Sequence, residues 1–136
     1  MKTRTKILAA VLSAAGILLL VVSLVFLLGS VRIPEGTEIL LVSSEQGQQK
    51  SAKLSQQDAE VIRDILHGSV LYPEQLYCGF SDDFSLLVGE RRLQVAEDGC
   101  LHIYDCQSEK YFSISEEERE TILLLFEQYG LPSCKH

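Results

Sequence analysis

Between Ile7 and Leu28 the chain runs for twenty-two residues without a charge, behind Lys2, Arg4 and Lys6. In hydrocarbon every backbone N–H and C=O must be satisfied internally, which a helix does within its own segment. At about 1.5 Å of rise per residue, about twenty residues cross the roughly 30 Å apolar core of a bilayer. The segment is therefore expected as a transmembrane helix over 7–28. The basic flank places residues 1–6 as a cytoplasmic tip and sends the chain from Gly29 onward to the extracytoplasmic side. A cleaved secretory signal is the competing reading, but its apolar region normally spans about 7–15 residues before a small-residue cleavage site. This run is longer, and Leu27-Leu28-Gly29-Ser30 makes a poor small-x-small site. Ala9 with Ser13, and Ala10 with Ala14, form small-xxx-small pairs that let helices approach, though apolar filler produces the same spacing.

Charge is divided along the chain. All nineteen acidic residues follow position 30, against nine basic ones there, so that part carries −10 while residues 1–6 carry +3. Such a surface repels phosphate backbones and anionic headgroups, and nucleic acid is not an expected partner. About one hundred residues after the apolar run suffice for one domain with one core. The boundaries expected are a short link at 29–36 and an α+β domain at 37–136. Pro34 and Gly36 mark the link, whose length keeps the domain close to the bilayer.

Hydrophobic period assigns the elements. Ile39 to Val42 reads as a strand, Glu45-Gln46-Gly47 as a turn, and Gln48 to Lys53 as a weak return strand. Ser55-Gln56-Gln57-Asp58 resembles a capping box whose acid is one carbon short of the preferred Glu. Ala59, Ile62, Ile65 and Leu66 follow at helical spacing as far as His67 and Gly68. Gly68 to Leu76, with Pro73, reads as a loop. Phe84, Leu86 and Val88 alternate, Gly89-Glu90 offers a two-residue turn, and Leu93 and Val95 alternate again. Asp98-Gly99 is a strong hairpin signal, with Leu101 and Ile103, then Phe112 and Ile114, continuing the meander. Ser115-Glu116-Glu117-Glu118 is a full capping box, and Ile122, Leu125, Phe126 and Tyr129 make an apolar stripe ending at Gly130. The expectation is a two-layer α+β domain in β-α-β4-α order. Its antiparallel sheet of about five strands carries both helices on one face.

Four cysteines, Cys78, Cys100, Cys106 and Cys134, lie in this domain. An even count in a small exported domain reads as two disulfides, with three pairings possible. Meander topology favours Cys78–Cys100, whose strands start at the same end of the sheet, with Cys106–Cys134, which the returning second helix brings together. A strand between the first pair stands against it, since Cα atoms beyond about 7 Å cannot bridge. Strand parity places Cys100, His102, Tyr104 and Cys106 on the open face of the sheet. Cys100, His102, Cys106 and Cys134 supply the donor types that tetrahedral zinc prefers, but paired Cys-x2-4-Cys knuckles are lacking. A Cys-x-x-Cys redox motif and a Gly-x-Ser-x-Gly elbow are likewise not present in the sequence. Asp82 and Asp83 are neighbours that would point to opposite strand faces, and a solvated turn accounts for them.

Several strings, Cys78-Gly79-Phe80, Asp98-Gly99-Cys100, Tyr111-Phe112-Ser113-Ile114-Ser115 and Tyr129-Gly130 through Cys134, resemble small, uncharacterised membrane-anchored or exported domains of Gram-positive bacteria. The resemblance covers the second half of the chain. Where that group ends in Phe-Pro-Cys, this chain has Leu131-Pro132-Ser133-Cys134. It implies fold and compartment and carries no activity. The functional expectation is a non-catalytic, membrane-tethered binding or accessory module without a cofactor. Its partner would be a neighbouring membrane protein or a small diffusing ligand, met on an open face holding His102, Tyr104 and Tyr111. The alternative is a metal-binding or thiol-dependent protein using the Cys and His set.

Overall fold

A computed structural model describes residues 2–73 and 77–132, with the backbone alone at 25–28. The chain is α+β. Helix α1 (Lys2–Leu28) is followed by β1 (Ile39–Glu45), β2 (Gln48–Lys53), α2 (Gln56–Leu66), β3 (Phe84–Val88), β4 (Arg91–Val95), β5 (His102–Asp105), β6 (Lys110–Ser113) and α3 (Glu116–Gln128). Over Lys2–Leu24, α1 is long and apolar enough to cross a membrane, and none of that stretch is buried against the rest of the protein.

One antiparallel sheet of six strands, in the order β2-β1-β3-β4-β5-β6, forms the body of the fold. The expected count of about five and the order β-α-β4-α are thus corrected to six strands and β-β-α-β4-α. The sixth strand is β2, the weak return strand read from Gln48 to Lys53 but left out of that count; its residues are almost all exposed and carry no apolar alternation. Its place comes from the turn, where Gln46 and Gly47 both take positive φ (53° and 78°). That geometry suits a two-residue hairpin connection. Gly89 and Glu90 likewise connect β3 directly to β4, with Val88 opposite Arg91.

Side-chain alternation puts Ile39, Leu41, Phe84, Leu86, Val88, Leu93, Val95, Ile103 and Phe112 on one face, all buried. Both helices close over it, α2 through Ile62 and Leu66 and α3 through Ile122, Leu125 and Phe126. The Phe84 and Phe126 rings lie 4.4 Å apart and join sheet to helix at the centre of the core. Asp105 is buried on this same face. It accepts from the Gln107 N–H (3.1 Å) and Ser108 Oγ (2.8 Å), with Arg91 Nε at 3.6 Å, and so holds the β5–β6 turn.

Two helix starts, similar in sequence, are built differently. At Ser115 the full capping box forms, with Glu118 accepting from the Ser115 N–H at 2.7 Å. At Ser55 the shorter Asp58 accepts from Ser55 Oγ, and the Ser55 N–H donates instead to Tyr129 Oη at 2.8 Å. Tyr129 Oη in turn donates to Asp58 Oδ2 at 2.6 Å. A hydroxyl from the end of α3 thus fills the gap that the missing methylene leaves. Tyr129→Phe should destabilise the domain by about 1 kcal/mol, the usual cost of a lost cap. Adding Asp58→Glu should restore part of it, because the longer acid reaches the Ser55 N–H itself; urea unfolding of the two variants checks both.

Residues 29–36, expected as a link, belong to the domain. Val31 and Ile33 are buried in the core. Gly29 C=O accepts from the Leu71 N–H (3.1 Å), Val31 N–H donates to Ser69 C=O (2.9 Å), and Ser30 bridges Val70. His67 Nδ1 accepts from the Ile33 N–H, and Arg63 Nε donates to Ile33 C=O, both at 3.0 Å. The stretch from Gly68 is equally structured: Tyr72 exchanges two backbone hydrogen bonds of 2.9 Å with Tyr111 on the outer edge of β6. Two apolar residues in a seven-residue ribbon were too short a pattern to announce a strand-like pairing.

Candidate functional site

The second face of the sheet was expected to be open. The structure lays the segment 78–83 across part of it. Gln94 Nε2 donates to Asp82 Oδ1 (2.8 Å) and Arg92 reaches Asp82 at 3.6 Å, while the Ser44 N–H to Asp83 C=O bond (2.9 Å) extends the β1–β3 ladder by one rung. Val42 and Ser85 are fully covered although parity points them away from the helices, and Ser85 Oγ donates to Asp82 C=O of the segment at 3.3 Å.

Four attachments hold the segment at its start. Cys78 is disulfide-bonded to Cys100, with Cα atoms 6.0 Å apart. Gly79 N–H donates to Asp98 Oδ2 (2.8 Å), while Glu97 N–H donates to Gly79 C=O (2.8 Å). Ser81 Oγ donates to Glu97 Oε1. These demands alter the hairpin that Asp98-Gly99 announces. β4 and β5 are antiparallel neighbours, but six residues, Ala96 to Leu101, connect them. Leu101, expected inside, lies outside β5 and is 37% exposed. The Asp98 carboxyl is held below the ordinary carboxylate value of 3.8, chiefly by the Gly79 N–H, with the Cys100 N–H and Arg119 assisting against a desolvation cost. Because the folded value is the lower one, this contribution is present above pH 3.8 and lost as pH falls below it. The protection factor of the Gly79 amide, its intrinsic exchange rate relative to the observed rate at the same pH, should therefore hold through neutral and mildly acidic pH and fall only in that acid window, as hydrogen exchange read by NMR will show.

With its start pinned, the segment sets Phe80 against two tyrosines. The Phe80 ring lies 5.9 Å from Tyr104 and 5.6 Å from Tyr111, which are themselves 4.9 Å apart across β5 and β6. Tyr72 meets His102 edge-on at 6.3 Å, and its hydroxyl pairs with Ser113 Oγ at 2.9 Å. All five rings are half-buried, each showing part of its surface to solvent. Burial, then the Glu109 carboxylate, pushes the Tyr104 phenol above its ordinary value of 10.0, so its hydroxyl stays a donor at neutral pH. His102, Tyr104 and Tyr111 thus share one surface, as strand parity expected. Phe80 and Tyr72 belong to it as well; the run Cys78-Gly79-Phe80 and the Tyr72-Pro73 pair were their faint signals.

The cysteines divide. Cys78–Cys100 is one pair of the topology-based expectation, and its 6.0 Å Cα separation answers the objection that a strand lies between them. Cys106 is a free thiol, half-buried on the outer face, and Cys134 lies outside the described residues. Burial first, then the Asp82 carboxylate, pushes the Cys106 thiol above 9.0. Of the expected metal set Cys100, His102, Cys106 and Cys134, the described residues bring together Cys100 and His102, with Sγ to Nδ1 at 3.8 Å. The group whose donor atoms lie within 4.8 Å of one another is Cys78, Cys100 and His102. Two of those three sulfur and nitrogen donors are engaged in the disulfide, so in this state the imidazole is the one ligand on offer.

A cleft of about 380 Å³ lies elsewhere, between the 36–39 turn and the start of α2. Its charges neutralise one another: Lys53 with Glu38 at 2.8 Å, and Arg63 with Glu60 at 3.1 Å. The aromatic surface is the better candidate, since its side chains are ordered by covalent and hydrogen-bonded supports yet remain partly uncovered. Comparison with protein-family models, curated proteins and solved structures finds no match, so no residue's role is carried over from a relative.

Proposed function

We propose that this chain is a single-pass, membrane-tethered, extracytoplasmic binding or accessory module without catalytic activity, with α1 retained as its anchor. The observation that carries the reading is the cluster of Phe80, Tyr104 and Tyr111, half-exposed and braced by the Cys78–Cys100 bond. Aromatic side chains offer large contact area with few rotatable bonds, so an ordered group of them binds a partner at low entropic cost. A thiol mechanism is disfavoured by Cys106, whose raised value leaves it protonated and weakly nucleophilic at neutral pH. The partner class is a neighbouring membrane protein or a small diffusing ligand; the −10 charge after position 30 disfavours nucleic acid.

A photo-crosslinking amino acid placed at Tyr111, in the full chain in its membrane, tests this. The expected result is a discrete adduct from position 111 that Tyr104→Ala abolishes, or, for a small ligand, shifted resonances confined to Phe80, Tyr104 and Tyr111. An adduct pattern identical to that of the same probe at Leu124, exposed on α3, overturns it.

The second reading is a thiol-dependent metal protein, favoured by the 4.8 Å grouping of Cys78, Cys100 and His102. A dithiol reductant would transfer two electrons and two protons to the disulfide, freeing two thiols beside an imidazole. Stoichiometric zinc bound after reduction, and lost in His102→Ala, would establish that reading; reduced protein that binds none removes it.

A further inference from the structure

The end of α1 leaves no slack before the domain begins. The helix ends at Leu28, Gly29 C=O already accepts from the Leu71 N–H, and Ser30 bridges Val70. Taken from Ile7, the apolar run rises about 33 Å to Leu28, about the thickness of the hydrocarbon core. Leu28 then stands where hydrocarbon gives way to headgroups. Two Cα steps of about 3.8 Å and one antiparallel bridge of about 5.5 Å put the Val70 Cα within about 13 Å of that of Leu28. The headgroup layer itself is about 5–8 Å deep on each side.

The side chains in that position alternate. Val31, Ile33 and Leu71 turn into the core, so Arg32, Val70 and Tyr72 fall on the opposite side of the two ribbons. Val70 is 46% exposed, Arg32 is exposed and Tyr72 is half-exposed. A valine, a tyrosine with its hydroxyl on Ser113 and a long cation are the residue types of a bilayer interface: apolar bodies with polar ends, and a guanidinium able to reach phosphate. The domain's net charge opposes an anionic leaflet, but this strip carries a cation and no carboxylate.

We propose that the strip formed by Arg32, Val70 and Tyr72 lies in the headgroup layer of the membrane that α1 crosses, so that the domain is seated on the bilayer instead of held above it by a link. The proposal rests on the membrane reading of α1. It also fixes which way the binding face points, because Tyr72 exchanges backbone hydrogen bonds with Tyr111. The aromatic cluster then opens at membrane level, within reach of a membrane neighbour.

The chain contains no tryptophan, so a single introduced one reports alone. Four variants of the full chain in phosphatidylcholine nanodiscs are compared: Leu19→Trp within α1, Val70→Trp and Tyr72→Trp on the strip, and Leu124→Trp on exposed α3. Quenching uses lipids brominated either near the headgroup or deep in the acyl chain. Leu19→Trp should lose most of its emission to deep bromine, and Leu124→Trp should keep its emission throughout. Val70→Trp and Tyr72→Trp should lose most of theirs to shallow bromine, with emission shifted to the blue of Leu124→Trp. If Leu19→Trp is quenched while both strip variants behave like Leu124→Trp, the seating is overturned and the anchor stands. If Leu19→Trp is not quenched, the anchor fails and the seating with it. Val70→Trp guards against a Tyr72→Trp variant that misfolds, because the Val70 side chain is already largely in solvent.

Discussion

Phe126→Ala should lower the stability of the domain by about 3–5 kcal/mol, the range for deleting a fully buried aromatic ring. Phe126 is wholly buried, and its ring lies 4.4 Å from that of Phe84, itself wholly buried on β3. The truncation removes apolar area from the core and leaves a cavity that a sheet on one side and a helix on the other cannot close. The same contact ties α3 to the sheet, so the loss is expected as a fall in the urea midpoint of the whole domain, with the slope of the transition unchanged. Leu124→Ala is the control: it sits two residues away on α3 but is 63% exposed, and surface changes of that kind stay within about 0.5 kcal/mol. Equal effects from the two variants would contradict the assignment of α3's buried face.

Removing the disulfide should have the next largest effect. Cys78 and Cys100 are separated by 22 residues, and closing a loop of that length lowers the entropy of the unfolded chain by about 3 kcal/mol at room temperature. Cys78→Ala with Cys100→Ala, or reduction of the native chain, should cost about that amount. The segment 78–83 keeps its other supports, Gly79 on Asp98, Glu97 on Gly79 and Asp82 on Gln94. Contacts from the Phe80 ring to Tyr111 should therefore persist in the NMR spectrum of the variant, and disappear when Asp98→Asn is added. If they vanish with the disulfide alone, the bond positions the segment by itself and the hydrogen bonds follow from it. Either way the unfolding midpoint reports the loop-closure contribution separately from the surface.

Much of the fold is legible in local pattern. The apolar run of α1, the stripes Ile62–Leu66 and Ile122–Phe126, and the alternation of Phe84, Leu86 and Val88 each follow from a single period within one segment. The capping box at Ser115 is equally local, since both partners lie within one turn. What escaped the pattern depends on other parts of the chain. β2, legible only as a weak return strand beyond the Gln46-Gly47 turn, has no apolar face of its own and owes its full pairing to β1. Leu101 leaves the core because the Asp98 carboxylate and the Cys100 sulfur are claimed by residues 78 and 79, which lengthens the connection. The cap at Ser55 is completed by Tyr129, seventy-four residues away.

The candidate surface shows the same division. Parity along β5 and β6 is enough to place His102, Tyr104 and Tyr111 together, because a strand's side chains alternate by geometry alone. Phe80 joins them from a segment with no period at all, and Tyr72 from what reads as a loop. By itself, then, the amino-acid sequence determined the main elements, the buried stripes of α2, α3, β3 and β4 and the sign of the charge, all set by spacing within a few residues. The tertiary structure alone decided that 29–36 is built into the domain and which side chains cover the second sheet face. Those outcomes turn on hydrogen bonds, a disulfide and ring contacts between positions tens of residues apart, and such pairings leave no repeat in the sequence to be read.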